Sequence, residues 1–220
     1  MGAHTVLVVL YEGVQSLDVT GPVEVFTGAG NASGRPGAYR VVTASPGGRP
    51  VRCTSGLRLL PDTGLDAVGP VDTLLVPGGP GTRARLSDGP VLEWLRAVDA
   101  TTAWTTSVCS GSLVLAAAGL LAGRRATSHW ACLEELGKLG AEPTGTERVV
   151  VDGKYATAAG VSAGIDLALS LAGRLAGDPV AQSIQLLIEY DPRPPYSAGS
   201  TASAPAELVA RMRANGLAIG

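Results

Sequence analysis

Short uninterrupted runs of Val, Leu and Thr, separated by longer Ala- and Leu-rich stretches, constrain this chain more than any other feature. Residues 5–10 carry no polar alternation and are closed by Glu12-Gly13, the pattern of a central strand buried on both faces. Leu17, Val19, Val23 and Phe26 then recur at roughly helical spacing around Thr20-Gly21-Pro22, with the proline in a first turn where it is tolerated. Residues 39–43 read as a second strand and 51–60 as a short antiparallel excursion punctuated by Gly48, Pro50, Gly56 and Pro61. Another buried strand is predicted at 73–76, a helix at 90–98, a strand at 103–108 and a helix at 111–121. The alternation continues through 127–139, 149–152, 154–158, 163–175 and 179–188. Such alternation predicts an α/β fold, a parallel sheet covered by helices on both faces in a three-layer sandwich. Residues 1–220 are read as one domain with a C-terminal arm over 191–220, rich in Pro, Ser, Gly and Ala before a short helix at 206–214.

Composition narrows the function. With 45% apolar residues the chain can build a large core, and a net charge of -2 supplies no basic face for nucleic acid phosphates. The N-terminal apolar run is too short for a signal peptide or membrane span, so neither membrane nor nucleic acid is expected as a partner. Cys53, Cys109 and Cys132 have neither zinc-site nor disulfide spacing, which fits a reducing cytoplasm. No His/Cys/Asp cluster has metal-ligand spacing, and the Gly-rich segment lacks the Lys-Ser/Thr ending of a phosphate loop. The expectation is a small-molecule substrate, with no metal and no cofactor.

In a parallel α/β sheet the ligand crevice lies beyond the carboxyl ends of the strands, where the loops after Leu10, Val76 and Val108 should meet. They carry Asp18, Gly78-Gly79 and Cys109-Ser110. Thr106-Ser107-Val108-Cys109-Ser110-Gly111 follows the logic of a nucleophile elbow: a strained strand-to-helix turn exposes the side chain, and the helix start favours its thiolate. The bland alternative is a small buried cysteine, which is the reading given to Cys53 and Cys132. Asp18 is either a helix-start cap or a carboxyl sharing one proton with the thiol, in which case the titration belongs to the pair. Gly78 and Gly79 either end a strand or offer backbone, the Gly79 amide joining that of Ser110 to stabilise negative charge on an adduct. The Ser110 hydroxyl is a candidate to orient substrate or water. His129 either pairs with the cysteine as an accessory residue or is bonded structurally at a helix start.

Three ordered segments carry a family resemblance: Leu17-Asp18-Val19-Thr20-Gly21-Pro22-Val23-Glu24-Val25, Val76-Pro77-Gly78-Gly79 and Ser107-Val108-Cys109-Ser110-Gly111. With the stretch 116–130 and Glu189-Tyr190-Asp191-Pro192-Arg193-Pro194-Pro195-Tyr196, they resemble the ThiJ/PfpI superfamily over most of the chain. The resemblance implies a flavodoxin-like fold and a homodimer. Within the superfamily the chain is similar to the isocyanide (isonitrile) hydratase branch, which has Asp at the position of Asp18 where many relatives have Glu. That branch implies a Cys109 thioimidate, with Asp18 handling protons and directing water, and an N-substituted formamide as product. It has Thr where this chain has Ser110. A histidine directly after the cysteine, as in the protease branch, is absent, as is the His-x-Glu pair of glutamine amidotransferases. Two other readings stay open: a ligand-sensing domain of an AraC-type transcription regulator, standing alone or truncated, and a glyoxalase-like, deglycase-like or redox-responsive cysteine protein.

Overall fold

A computed structural model of the chain describes residues 3–32 and 34–215. The strand β1 (His4–Val9) leads into α1 (Ser16–Ala32) and β2 (Tyr39–Ser45). The short strands β3 (Val51–Arg52), β4 (Arg58–Leu59) and β5 (Thr63–Gly64) precede β6 (Thr73–Val76). Then come α2 (Thr82–Arg85), α3 (Gly89–Asp99), β7 (Trp104–Val108) and α4 (Gly111–Ala117). After β8 (Arg125–Ala126), α5 (Leu133–Lys138) and β9 (Glu142–Pro143), the strands β10 (Val149–Asp152) and β11 (Tyr155–Ala158) are followed by α6 (Ala163–Ala176), α7 (Asp178–Leu187) and α8 (Ala206–Ala214).

One seven-stranded sheet has the order β10-β11-β7-β6-β1-β2-β5. Its interior strands are the uninterrupted apolar runs: every residue of β6 and β11 is buried, as are all but the first of β1 and β7. Helices α1, α6 and α7 pack together on one face, while α4 packs with α2, α3 and α5 on the other. The α/β architecture with helices on both faces is as expected. The chain runs outward from β1 to β2 and then returns to β6 on the other side, so the direction of winding reverses between β1 and β6. That reversal opens a crevice at the carboxyl ends of these strands. The register, with Leu7 opposite Leu74, Val76 opposite Ser107 and Val108 opposite Ala158, aligns the loops leaving β1, β6, β7 and β11.

The structure departs from the sequence pattern in four places. Pro22 lies inside α1, in its second turn rather than its first, because the helix already starts at Ser16. The sheet is mixed, because β10 runs antiparallel to β11: a two-residue turn at Gly153-Lys154 can join strands in no other sense. The helix expected at 111–121 stops at Ala117, where Gly119 takes a positive φ of 80°. The element expected at 127–139 becomes helical only at Leu133, after a 3₁₀ turn at Trp130–Cys132 capped by His129. The segment 51–60 is the expected antiparallel pair, and the arm from 191 to 205 carries neither helix nor strand. The end of that arm, residues 216–220, lies outside the described residues. No described helix is long and apolar enough to cross a membrane.

Candidate active site

Cys109 sits between the last residue of β7 and the start of α4 with φ +57°, a left-handed backbone that non-glycine residues seldom adopt. Holding it costs on the order of 1–3 kcal/mol. The surroundings over-determine it: the Cys109 amide donates to the carbonyls of Ala158 (3.1 Å) and Ala159 (3.0 Å), and its carbonyl accepts from the hydroxyls of Ser128 (3.0 Å) and Ser112 (3.3 Å). Gly111 is obligatory at this turn, since a Cβ there would stand 2.1 Å from the Val76 carbonyl oxygen. The strained strand-to-helix elbow expected from the sequence is present, but it does not expose its side chain: Cys109 is fully buried, because the loops after β1, β6 and β11 close over it.

Asp18 lies in the first turn of α1, fully buried. Its Oδ2 accepts the Gly78 amide at 2.8 Å, whereas Oδ1 is buried without a hydrogen-bond partner. The side-chain neighbour whose electrostatics act on the carboxyl is the Cys109 thiol. Asp18 therefore caps nothing in its own helix and faces the sulfur. Burial pushes its pKa up to about 7, a rise only partly offset by the Gly78 amide and the thiol. The thiol is not acidified as the helix-start argument anticipates. Burial first, and the Asp18 charge second, push Cys109 up to about 12, and the Val161 and Ser110 amides directed at it recover only part of this. A helix start of seven residues cannot outweigh the loss of water around a fully buried sulfur beside a carboxylate. The two groups thus lose one proton near neutrality and hold the second strongly.

The Gly78-Gly79 loop is spent on positioning. A Cβ at Gly78 would fall 2.6 Å from the Ser110 nitrogen, so only glycine lets the two loops meet. While the Gly78 amide holds Asp18, the Gly79 amide donates to Ser110 Oγ at 3.0 Å, and the Thr82 hydroxyl donates to the Gly79 carbonyl at 2.7 Å. Both glycine amides expected at an anionic adduct are therefore engaged, and the fully buried Ser110 hydroxyl is tied into the loop scaffold, accepting from the Gly79 amide and donating to the Gly79 carbonyl at 3.4 Å. The amides aimed at the sulfur are those of Ser110 and Val161.

His129 does not pair with Cys109. Its Nδ1 accepts from the Ala131 amide at 3.3 Å, its ring lies against Gly160, and burial lowers its pKa, so the neutral ring carries its proton on Nε2. Cys53 and Cys132 are buried with pKa values raised by burial, in keeping with inert core positions. Three contributors escape the motif reading. Val161, with φ +22°, supplies an amide to the sulfur; Ser128 grips the Cys109 carbonyl; Tyr11 donates its phenol to the Pro77 carbonyl behind the loop. The first was within reach: Ala159-Gly160-Val161-Ser162 follows β11, the strand beside β7, and must emerge at the same sheet edge.

Residues 4–174 match the model of the DJ-1/PfpI family. An isonitrile hydratase of Pseudomonas putida is 42% identical over 207 residues, covering 93% of this chain and 87% of that protein. The transcriptional regulator GbdR of Pseudomonas aeruginosa is 31% identical over 183 residues, 83% of this chain but only 49% of the regulator. Among solved structures, a ThiJ/PfpI family protein from Pseudomonas syringae superposes with a TM-score of 0.90 at 37% identity, covering 98% of this chain and 86% of that one.

Proposed function

The chain belongs to the DJ-1/PfpI family, and from that premise we propose that it is a cysteine-dependent hydratase that adds water to an isocyanide to give an N-substituted formamide. The observation that carries this reading is a buried carboxyl with one oxygen unengaged, lying beside the thiol of a strained cysteine. In the working state Asp18 is ionised and Cys109 keeps the shared proton. As the sulfur attacks the terminal isocyanide carbon, the carboxylate takes the thiol proton and passes it to that carbon, so the C–S and C–H bonds form and a thioimidate results. Water then adds to the same carbon with Asp18 accepting its proton, the nitrogen is protonated, and collapse of the tetrahedral adduct breaks the C–S bond. Formamide leaves and the thiol is regenerated. Ser110 and Val161 contribute amides to the sulfur, and Gly78 and Gly79 hold Asp18 and Ser110 in place.

The same reading carries a cytoplasmic homodimer acting on a small molecule, with the exposed Leu57 and Leu60 as apolar surface for the second copy. Incubation with methyl isocyanide, followed by carbon NMR for N-methylformamide, tests the activity. Formamide appearing with wild type and not with Cys109→Ala supports it; no formamide while Cys109 remains reduced refutes it. The GbdR similarity keeps a ligand-sensing role as the second reading, in which case the cleft binds a ligand without turnover.

A further inference from the structure

The peptide that joins Pro77 to Gly78 is gripped at both ends from one stretch of chain. Tyr11, just past β1, donates its phenol to the Pro77 carbonyl, and the amide of the same peptide donates to Asp18 Oδ2 at 2.8 Å. Gln15 closes the next position: its amide donates to the Gly78 carbonyl at 2.8 Å, while its own carbonyl accepts the Asp18 amide at 3.1 Å. Residues 11, 15 and 18 thus hold three successive polar groups of the loop after β6. The start of α4 presses on the same place, since a Cβ at Gly111 would fall 2.7 Å from the Pro77 oxygen.

The buried Tyr11 phenol does more than satisfy itself, because the bond it makes acts on Asp18. An amide whose carbonyl accepts a hydrogen bond is polarised, and its N–H becomes a stronger donor. Here that N–H is the backbone donor to the carboxyl, and a donor to the ionised form favours that form. The phenol itself only donates. Burial first, and then the charges of Asp18 and Cys109, hold its pKa well above the usual phenol range, so it keeps its proton while Asp18 ionises. Arg85, paired with Asp88 at 2.5 Å, lines a small apolar hollow with Tyr11, Leu65 and Val114, and its charge opposes part of that rise. The other charged groups around α1 are engaged elsewhere: Glu12 holds the Arg52 amide at 2.9 Å, Asp166 of α6 pairs with Arg148 at 2.7 Å, and Arg174 and Asp178 line a groove between α6 and α7.

We propose that Tyr11 is a positioning residue for Asp18, its phenol fixing and polarising the Pro77–Gly78 peptide so that the amide at the other end binds the carboxylate more strongly. Its consequence for turnover rests on the hydratase reading, in which Asp18 takes and returns the proton; its effect on the carboxyl does not. With the phenol in place, the Asp18–Cys109 pair reaches its one-proton state at a lower pH than it would without it.

The test follows the Asp18 carboxyl carbon by NMR in protein carrying carbon-labelled aspartate, titrated by pH, with the signal assigned by its loss in Asp18→Asn. Tyr11→Phe keeps the ring and removes the donor, and its Asp18 midpoint is expected about 0.5 pH units above that of wild type. Placing meta-fluorotyrosine at position 11 leaves the shape nearly unchanged and makes the phenol a stronger acid and donor, so the midpoint should fall by ~0.2. A role confined to packing predicts no such opposite movement. A midpoint that stays in place in either variant, or that moves the same way in both, overturns the proposal. If Tyr11→Phe fails to fold, the fluorinated protein decides alone: a fall supports the proposal and an unchanged midpoint overturns it. The rise of kcat/KM with pH for methyl isocyanide should be displaced in the same directions. Opposite movements of the carboxyl without formamide from wild type would support the role of Tyr11 and count against the hydratase reading alone.

Discussion

Two aspartates lie buried at opposite edges of the sheet, and their surroundings could hardly differ more. Asp99, where α3 gives way to β7, is saturated: Oδ1 accepts from Thr105 Oγ1 at 2.6 Å with Lys154 Nζ at 3.2 Å, and Oδ2 accepts from the Tyr155 phenol at 3.1 Å. Asp18, at the carboxyl edge, has one backbone donor, no cation and an oxygen left over beside a thiol. A buried carboxyl that ties strands together is surrounded by donors; one that moves a proton is left partly unsatisfied and keeps a proton close to neutrality. The cost of the second arrangement falls on stability and its benefit on reactivity.

That contrast can be broken by substitution. The largest effect is expected from Cys109→Ala, which should lower formamide formation by ~10³-fold or more while leaving the circular dichroism spectrum unchanged, because catalysis passes through the sulfur. Asp18→Asn should lower kcat/KM by about 10²–10⁴-fold and abolish its rise with pH, whose midpoint in wild type should lie near the Asp18 pKa. The same substitution should stabilise the protein. The folded pKa of about 7 lies above the ordinary 3.8, so the ionised form is penalised by folding. That penalty is absent below about pH 4, grows as the pH rises through this window and is complete above neutrality, on the order of 4 kcal/mol. Thermal melts at alkaline and acid pH measure it; a variant no more stable than wild type at alkaline pH would contradict the account.

Asp99→Asn should do the opposite, destabilising by about 1–3 kcal/mol in urea titrations through loss of charge-assisted bonds, with turnover per folded molecule retained. Loss of turnover there would erase the distinction between the two carboxyls. The smallest effect is expected from Ser110→Ala. It leaves the Gly79 amide without its acceptor and should cost about 1–2 kcal/mol, with a modest loss of activity.

Much of this was legible from the chain itself. Uninterrupted runs such as Val6-Leu7-Val8-Val9 dictate buried strands, alternation with helices dictates a sheet wound from both faces, and the three loops bearing Asp18, Gly78 and Cys109 meet where the winding reverses. The thiol's acidity was not legible, because it is a balance between dipoles visible in sequence and a burial that depends on everything packed around residue 109. Residues that act through their backbone were equally hidden. Val161 contributes an amide, and the Gly79 amide is spent on a neighbouring hydroxyl, neither of which a side-chain motif records.

The central claim is that Asp18 and Cys109 act as one titrating unit, and the pH dependence of Cys109 alkylation by iodoacetamide, followed by intact mass, tests it most directly. The one-proton state contains the reactive thiolate as a minor tautomer, so in wild type the rate should climb with a midpoint near 7 and then level off. In Asp18→Asn that step should vanish, leaving only the slow rise of an isolated buried thiol. The same step in both proteins, or a wild-type sulfur that does not alkylate at all, would contradict the claim.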